Sequence, residues 1–256
     1  MNASSSSIAR VALAALLVSL LAGCAGSKGF YAASAQIERN SAVVDNAPDP
    51  AAAQAIAAVK SEATYLKLVE QQEHDGLWFA SLAHLDALEQ RWGVTPASTR
   101  LRADALRHTG QLAESRRQYA LLLPTPLAAA GYHGLGLVAG SEGDFKQARE
   151  MLQQARQRDP TDALLLSDLG YAQLRTGSLA QARIPLMEAM QLQPDQPQVQ
   201  ANVALYLAMD GRGPESEALM AAHNLPAATR EAVRLASRST SSSSTSATPA
   251  TSESAP

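Results

Sequence analysis

Five histidines, a single cysteine and a pair of helically spaced glutamates are the residues of this chain best equipped for chemistry. His74, His84, His108, His133 and His223 each carry an imidazole, a group that titrates near neutrality and binds metals. A zinc site needs its ligands at short fixed spacings, as in HExxH, and none of the five histidines has such a spacing or a cysteine beside it. His74 and Asp75 are adjacent, so on a helix they point to different faces. Glu70 and Glu73 stand three apart and would share a face, as a general acid and base must. The simpler reading, adopted here, is a solvated helix face. Gly134-Leu135-Gly136 follows no strand and precedes no phosphate-loop lysine, and no GxSxG elbow occurs. Cys24 has no second thiol with which to form a disulfide or a CxxC site. On these grounds no enzymatic activity, cofactor, metal or small-molecule substrate is expected.

The elements that position these residues repeat along the chain. Leu135-Gly136, Gly143-Asp144-Phe145, Ala148, Leu152, Ala155 and Asp159-Pro160 recur as Leu169-Gly170, Gly177-Ser178-Leu179, Ala182, Leu186, Ala189 and Gln193-Pro194. Every equivalent pair is thirty-four residues apart. A small residue lets two helices approach, a glycine turns the chain, and small and large apolar residues interlock on the second helix. A proline beside its end stops that helix. The period and the pattern resemble the tetratricopeptide repeat (TPR). Gly76, Gly110, Gly143, Gly177 and Gly211, spaced 34, 33, 34 and 34 residues apart, extend the register to five units. Trp78, Leu112, Phe145 and Leu179 follow the first four of these glycines by two positions. Leu85, Tyr119, Leu152, Leu186 and Met220 follow all five by nine. With aromatic residues at 4 % and alanine, leucine and glutamine abundant, the composition favours helix over sheet. The expectation is an all-α TPR superhelix of about four to five repeats over residues 51–238.

Only the third and fourth units are close to the pattern. Arg102 stands where Leu135 and Leu169 stand, Ser115 replaces the small alanine, and Pro124 and Pro126 shift a helix end. In the fifth unit Gly213-Pro214 delays the second helix to about Pro214 to Asn224. Pro185 falls inside the second helix of the fourth unit and removes one of its hydrogen bonds. The first helices of such an array form its inner wall. The register places Leu66, Glu70 and Glu73 there, then Arg100, Asp104 and Arg107, then His133 and Leu137. Tyr171, Leu174 and Arg175 follow, then Ala201, Leu205 and Met209. A wall charged in its first half and apolar in its second suits a helix or extended peptide with apolar anchors and a few carboxylates, which Arg107 or Arg175 would pair. For Tyr171, Leu174 and Leu205, packing between neighbouring repeats accounts for the same pattern.

The chain opens with a polar leader to Arg10 and an apolar run of about a dozen residues from Val11 to Leu21. That run is shorter than the roughly twenty residues a membrane-spanning helix needs and fits the core of a secretory signal. Leu21-Ala22-Gly23-Cys24 resembles the lipobox of bacterial lipoprotein signals. The resemblance implies cleavage after residue 23, lipidation of Cys24 and a membrane anchor. Ala25, Gly26 and Ser27 follow, with no aspartate directly after the cysteine, so the implied address is the periplasmic face of the outer membrane. Residues 24–50 read as a tether, and 239–256, nearly all Ser, Thr, Ala and Pro, as a disordered tail. A net charge of −3 and the lack of a basic, aromatic-rich stripe exclude nucleic acid as an expected partner.

The run Gln198-Val199-Gln200-Ala201-Asn202-Val203-Ala204-Leu205-Tyr206-Leu207-Ala208-Met209-Asp210-Gly211-Arg212 is similar to a helix of the TadD-like TPR lipoproteins of the tight adherence (Tad, or Flp pilus) system. Glu217-Ala218 and Asn224-Leu225-Pro226 continue the likeness. It covers about residues 131–235 and is architectural before that. It implies a scaffold for pilus assembly that places or multimerises the secretin channel. Two further readings stay open: a pilotin for a type IV pilus or secretion secretin, and an NlpI-like adaptor that presents envelope proteases or peptidoglycan enzymes to their substrates.

Overall fold

The computed structural model describes residues 61–244. The expected signal peptide, Cys24, the tether, the first ten residues of the expected repeat domain and the tail from residue 245 lie outside the described residues. Within them are eleven helices and no strand. Five helix pairs run in order: α1 (Glu62–His74) with α2 (Trp78–Trp92), and α3 (Pro96–His108) with α4 (Leu112–Leu121). Then come α5 (Ala128–Glu142) with α6 (Phe145–Arg156), and α7 (Ala163–Arg175) with α8 (Leu179–Leu192). The last pair is α9 (Pro197–Met209) with α10 (Gly213–Ala222), and α11 (Ala227–Ser244) closes the array.

The five turns share one geometry. Gly76, Gly110, Gly143, Gly177 and Gly211 all have φ between 75° and 85°, a left-handed state that a side chain would strain. In each turn the glycine N–H and the next N–H reach back into the first helix. Gly76 donates to Glu73 and Leu77 to Gln72; Gly177 donates to Leu174 and Ser178 to Gln173. This is the Schellman motif, which satisfies carbonyls that a helix end leaves open. Starts are capped too: Thr95 and Ser98 form a reciprocal box at α3, and the Asp162 carboxylate accepts from Leu164 and Leu165 at α7.

Behind each turn the two helices interlock. A Cβ on Gly136 would lie 2.7 Å from Leu152, and one on Gly170 would lie 2.4 Å from Leu186. Leu85, Tyr119, Leu152, Leu186 and Met220, nine positions past the five glycines, are at most 1 % exposed. Ser115 and Ser216, which replace the small alanine, are buried, and each hydroxyl donates across the pair at 2.8 Å, to the carbonyls of Ala103 and Ala204. Arg102 reaches back to Glu89 at 2.7 Å and Asp86 at 2.8 Å on α2, tying the second unit to the first. In the unit with Pro124 and Pro126 the second helix ends at Leu121, ten residues long against twelve in α6. Pro185 is accommodated, buried, within α8.

The end of the array differs from expectation. Helix α10 stops at Ala222 rather than about Asn224, because Asn224 takes a left-handed conformation at φ 52° and closes a sixth turn of the same kind. Leu225 donates to Met220 and Asn224 to Ala221, and Leu225 is buried. Beyond it, α11 packs on α9 through Val233, and Arg234 pairs with Glu217 through two bonds of 2.7 Å. This helix runs to Ser244, past the boundary at 238 expected for the folded part.

Candidate protein-binding wall

Each first helix packs on the next first helix, α1 on α3, α3 on α5, α5 on α7 and α7 on α9, while each second helix packs on the first helix that follows it. The first helices therefore line one side continuously, as the register requires. What they present changes along the array.

At α1 and α3 the wall is polar. Arg100 bridges Glu70 at 3.0 Å and Asp104 at 3.1 Å. Asp104 also accepts from the Tyr119 hydroxyl, which in turn accepts a long bond of 3.4 Å from Arg107 Nε. Arg107 Nη2 donates to His108 Nε2 at 2.8 Å, and the His108 ring stacks on Trp78 with centroids 3.7 Å apart. Burial and then the Arg107 charge push His108 down to about 3, so its imidazole is neutral and accepts that bond. Burial works against the charge on Arg107, but Tyr119 and Asp104 outweigh it and hold the guanidinium protonated.

The glutamate pair corrects the solvated-face expectation in one member. Glu70 is exposed, whereas Glu73 is 9 % exposed and accepts from the Ser81 hydroxyl at 2.9 Å. Burial first, and the Asp104 charge second, raise Glu73 to about 8. Its neighbour α2 covers it, which no spacing within α1 reveals.

At α5 and α7 a second polar cluster crosses the wall. His133 Nε2 meets Asp168 at 2.8 Å, and Gln198 on α9 donates to the other oxygen of Asp168 at 2.6 Å. Burial opposes the imidazolium, yet the Asp168 bond and charge outweigh it and raise His133. Asp168 was missed from sequence because it lies beside the repeated Leu169-Gly170 pair and reads as part of it. Leu137 is half-buried on the same helix as His133. Arg175 donates to the Tyr171 hydroxyl at 2.8 Å and lies over the Phe145 ring at 4.1 Å.

Further along, the inner wall closes. Leu174 and Leu205 are fully buried, in one cluster with Leu186, Val199 and Met220, and have no surface for a partner. Tyr171 is 3 % exposed in the same cluster. For these three the packing alternative holds, and they leave the set of wall residues. Met209 stays half-buried at the rim of the cluster. Asn202, the marker of the pilus-protein likeness, donates to the Ser167 hydroxyl at 2.9 Å and thereby joins two repeats. The array thus links Arg100, Asp104 and Arg107 through Tyr119, pairs His133 with Asp168, leaves Leu137 and Arg175 half-buried, and sinks Leu174 and Leu205 into the core.

The described residues contain no group of three or more His, Cys, Asp and Glu placed to hold a metal ion. A tetratricopeptide repeat family model matches residues 141–206, from the end of α5 into α9. The chain is 33 % identical over 128 residues to a TPR repeat-containing protein of Pseudomonas aeruginosa, and spans about half of that relative's length, 51 %, with 50 % of its own. A thermophilic TPR protein of Thermus thermophilus has the same fold at a TM-score of 0.58 and 21 % identity, covering 70 % of this chain and 98 % of that one. MamA of Desulfovibrio magneticus RS-1 aligns at a TM-score of 0.49 and 16 % identity, over 70 % of this chain and 96 % of that one. The chain therefore has the tetratricopeptide-repeat fold, with a segment at residues 141–206 that matches the repeat family, a scaffold suited to protein–protein interaction.

Proposed function

We propose that this protein is a lipid-anchored scaffold at the periplasmic face of a Gram-negative outer membrane, serving Tad/Flp pilus assembly by helping to place or multimerise the secretin. The observation that carries the reading is the similarity of Gln198 to Arg212, with Asn224-Leu225-Pro226, to the TadD-like lipoproteins. Leu21-Ala22-Gly23-Cys24 supports the address, since a thiol after small residues is what lipidation and signal cleavage require. An anchor at Cys24 confines the repeats to the membrane surface. Confinement raises the effective concentration of the wall toward another membrane-bound protein without any added contact. The wall's charged part on α1 and α3 supplies exposed Glu70 and partly exposed Arg100 and Asp104, polar groups that a specific partner would meet.

Deletion of the gene is expected to reduce secretin multimers and surface pili, and a Cys24→Ala chain to appear in the soluble envelope fraction and fail to restore them. Unaltered multimers and pili in the deletion strain would defeat the pilus role. Cross-linking from the wall in cells that captures an envelope protease or a peptidoglycan enzyme, with no secretin, would instead establish the adaptor reading.

A further inference from the structure

Away from the wall, a cleft opens between α6 and α7. Around α7, Leu169 and Gln173 lie about 100° and 140° from Asp168, the wall residue, at 3.6 residues per turn. They form the floor of a cavity of about 350 Å³, with exposures of 1 % and 6 %. Gln153, Gln157 and Pro160 are exposed at its rim, and half-buried Arg156 lines it as well. Arg156 pairs with Glu188 of α8 at 2.7 Å, so this cation already has its counter-ion.

The floor carries an unmet group. Oε1 of Gln173 is buried and has no hydrogen-bond partner, a state that costs free energy in a folded chain. Among the described residues one other buried side-chain polar atom shares it, Oε1 of Gln72. Both glutamines stand four residues before a turn glycine, Gly76 and Gly177. At the same place the other three units have Leu106, Ala139 and Leu207, all buried. The place accepts an apolar side chain, so packing alone does not require an amide there.

We propose that Gln173 receives the carboxamide of a glutamine side chain from a partner protein, inserted between α6 and α7. This rests on the scaffold reading and is independent of the pilus assignment. The Gln173 oxygen needs a donor, which a carboxylate lacks, and a lysine or arginine would bring a second cation beside Arg156. An indole or phenol would answer the oxygen alone. A carboxamide is neutral and carries both N–H and C=O, so it meets the oxygen and the nitrogen of the Gln173 amide together. Its two methylenes pass Pro160 and lie along Leu169. The exposed amides of Gln153 and Gln157 then turn to the backbone of the guest, which stays at the rim.

The test is nuclear magnetic resonance of the full chain, isotopically labelled at its glutamine amides and titrated with the peptide acetyl-Ala-Ala-Gln-Ala-Ala-amide. The Gln173 signal, identified by its loss in Gln173→Leu, is expected to shift saturably. Peptides with methionine, glutamate or tryptophan at the centre are expected to bind at least tenfold more weakly. Gln173→Leu, which copies Leu106 and Leu207, is expected to keep or raise the melting temperature while the Gln153 and Gln157 signals no longer respond to the peptide. A lower melting temperature would make the amide a packing group and overturn the proposal. The peptide series on the wild type decides independently of any variant: equal binding of the methionine or tryptophan peptide, or no shift with the glutamine peptide at its solubility limit, overturns it. So does tighter binding of free glutamine than of the peptide, which would assign the cleft to a small metabolite. Envelope proteins that co-purify alike with the wild type and Gln173→Leu remove the inserted side chain but leave the scaffold. A wild type that co-purifies none removes the scaffold reading, and the protein guest with it.

Discussion

The first two repeats and the two that follow solve the same packing problem with different materials. From α5 to α8 the pairs close by steric fit: glycine at 136 and 170 receives leucine at 152 and 186, and the first helix α7 is buried along almost its whole length. In α1 to α4 polar groups also bridge the helices, with Ser81 on Glu73, Ser115 on Ala103, and a chain of bonds from Glu70 through Arg100 and Asp104 to Tyr119. Where the pair closes by fit, as at α7 and α8, most of the first helix is buried, whereas the polar closure at α1 and α3 leaves Glu70, Arg100 and Asp104 partly open to solvent.

The comparison breaks most visibly at its tightest point. Leu186→Ala should cost about 2–5 kcal/mol in urea unfolding, from lost burial and an unfilled cavity. Gly170→Ala should cost about 1–3 kcal/mol by overpacking, reduced by up to ~1 kcal/mol of helix propensity. Combined, the two should cost less than their sum, because the alanine side chain occupies space that Leu186 vacates. Strict additivity would mean that the close approach of α7 and α8 does not set stability there.

The polar half should answer to pH instead. Glu73, raised to about 8 from 4.5, keeps in the native state a proton that the unfolded chain releases. Its contribution is complete below pH 4.5 and is lost as pH climbs through 8. His108, lowered to about 3 from 6.5, has the opposite sign: its contribution is complete above pH 6.5 and is lost as pH falls toward 3. Each shift is worth on the order of 1.4 kcal/mol per unit before relaxation of the site. Denaturation curves at pH 6 and pH 9 should show the wild type weaker by about 2–3 kcal/mol at the higher pH, and Glu73→Gln nearly level. A wild-type stability that is flat between those values would show that Glu73 ionises without cost.

The smallest effect sharpens the contrast. Ser115→Ala restores the residue of the regular units, yet should destabilise by about 0.5–1.5 kcal/mol, since its hydroxyl is buried against the Ala103 carbonyl. A gain in melting temperature would mean that the second unit closes by fit after all.

Much of this architecture was legible in the residues themselves. Glycine at a fixed period identifies the turns because a left-handed backbone tolerates little else, and the residues nine positions on identify the core because a helix repeats its faces. The wall was less legible. Register says which way Leu174 and Leu205 point, but how closely the helices draw together decides whether that direction ends in solvent or in a neighbour. Glu73 and Arg102 depend on α2, a different helix from their own, so their burial and pairing are properties of the assembly. Asn202 and Asn224 read as family markers and prove to be a hydrogen bond between repeats and a turn residue.

The recurrence of one backbone state at residues 76, 110, 143, 177 and 211 has a consequence for how such a chain changes length. Removing residues 144–177 would bring Gly143 directly before Ser178, and the polypeptide would leave the glycine in the same direction as before. An insertion of one whole period is equally invisible to the turn. An increment that is not a whole helix pair, of 33 or 34 residues here, would put a helix residue where the turn glycine stands. The five glycines act as the graduations of a ruler: the reach of the protein is quantised in whole helix pairs.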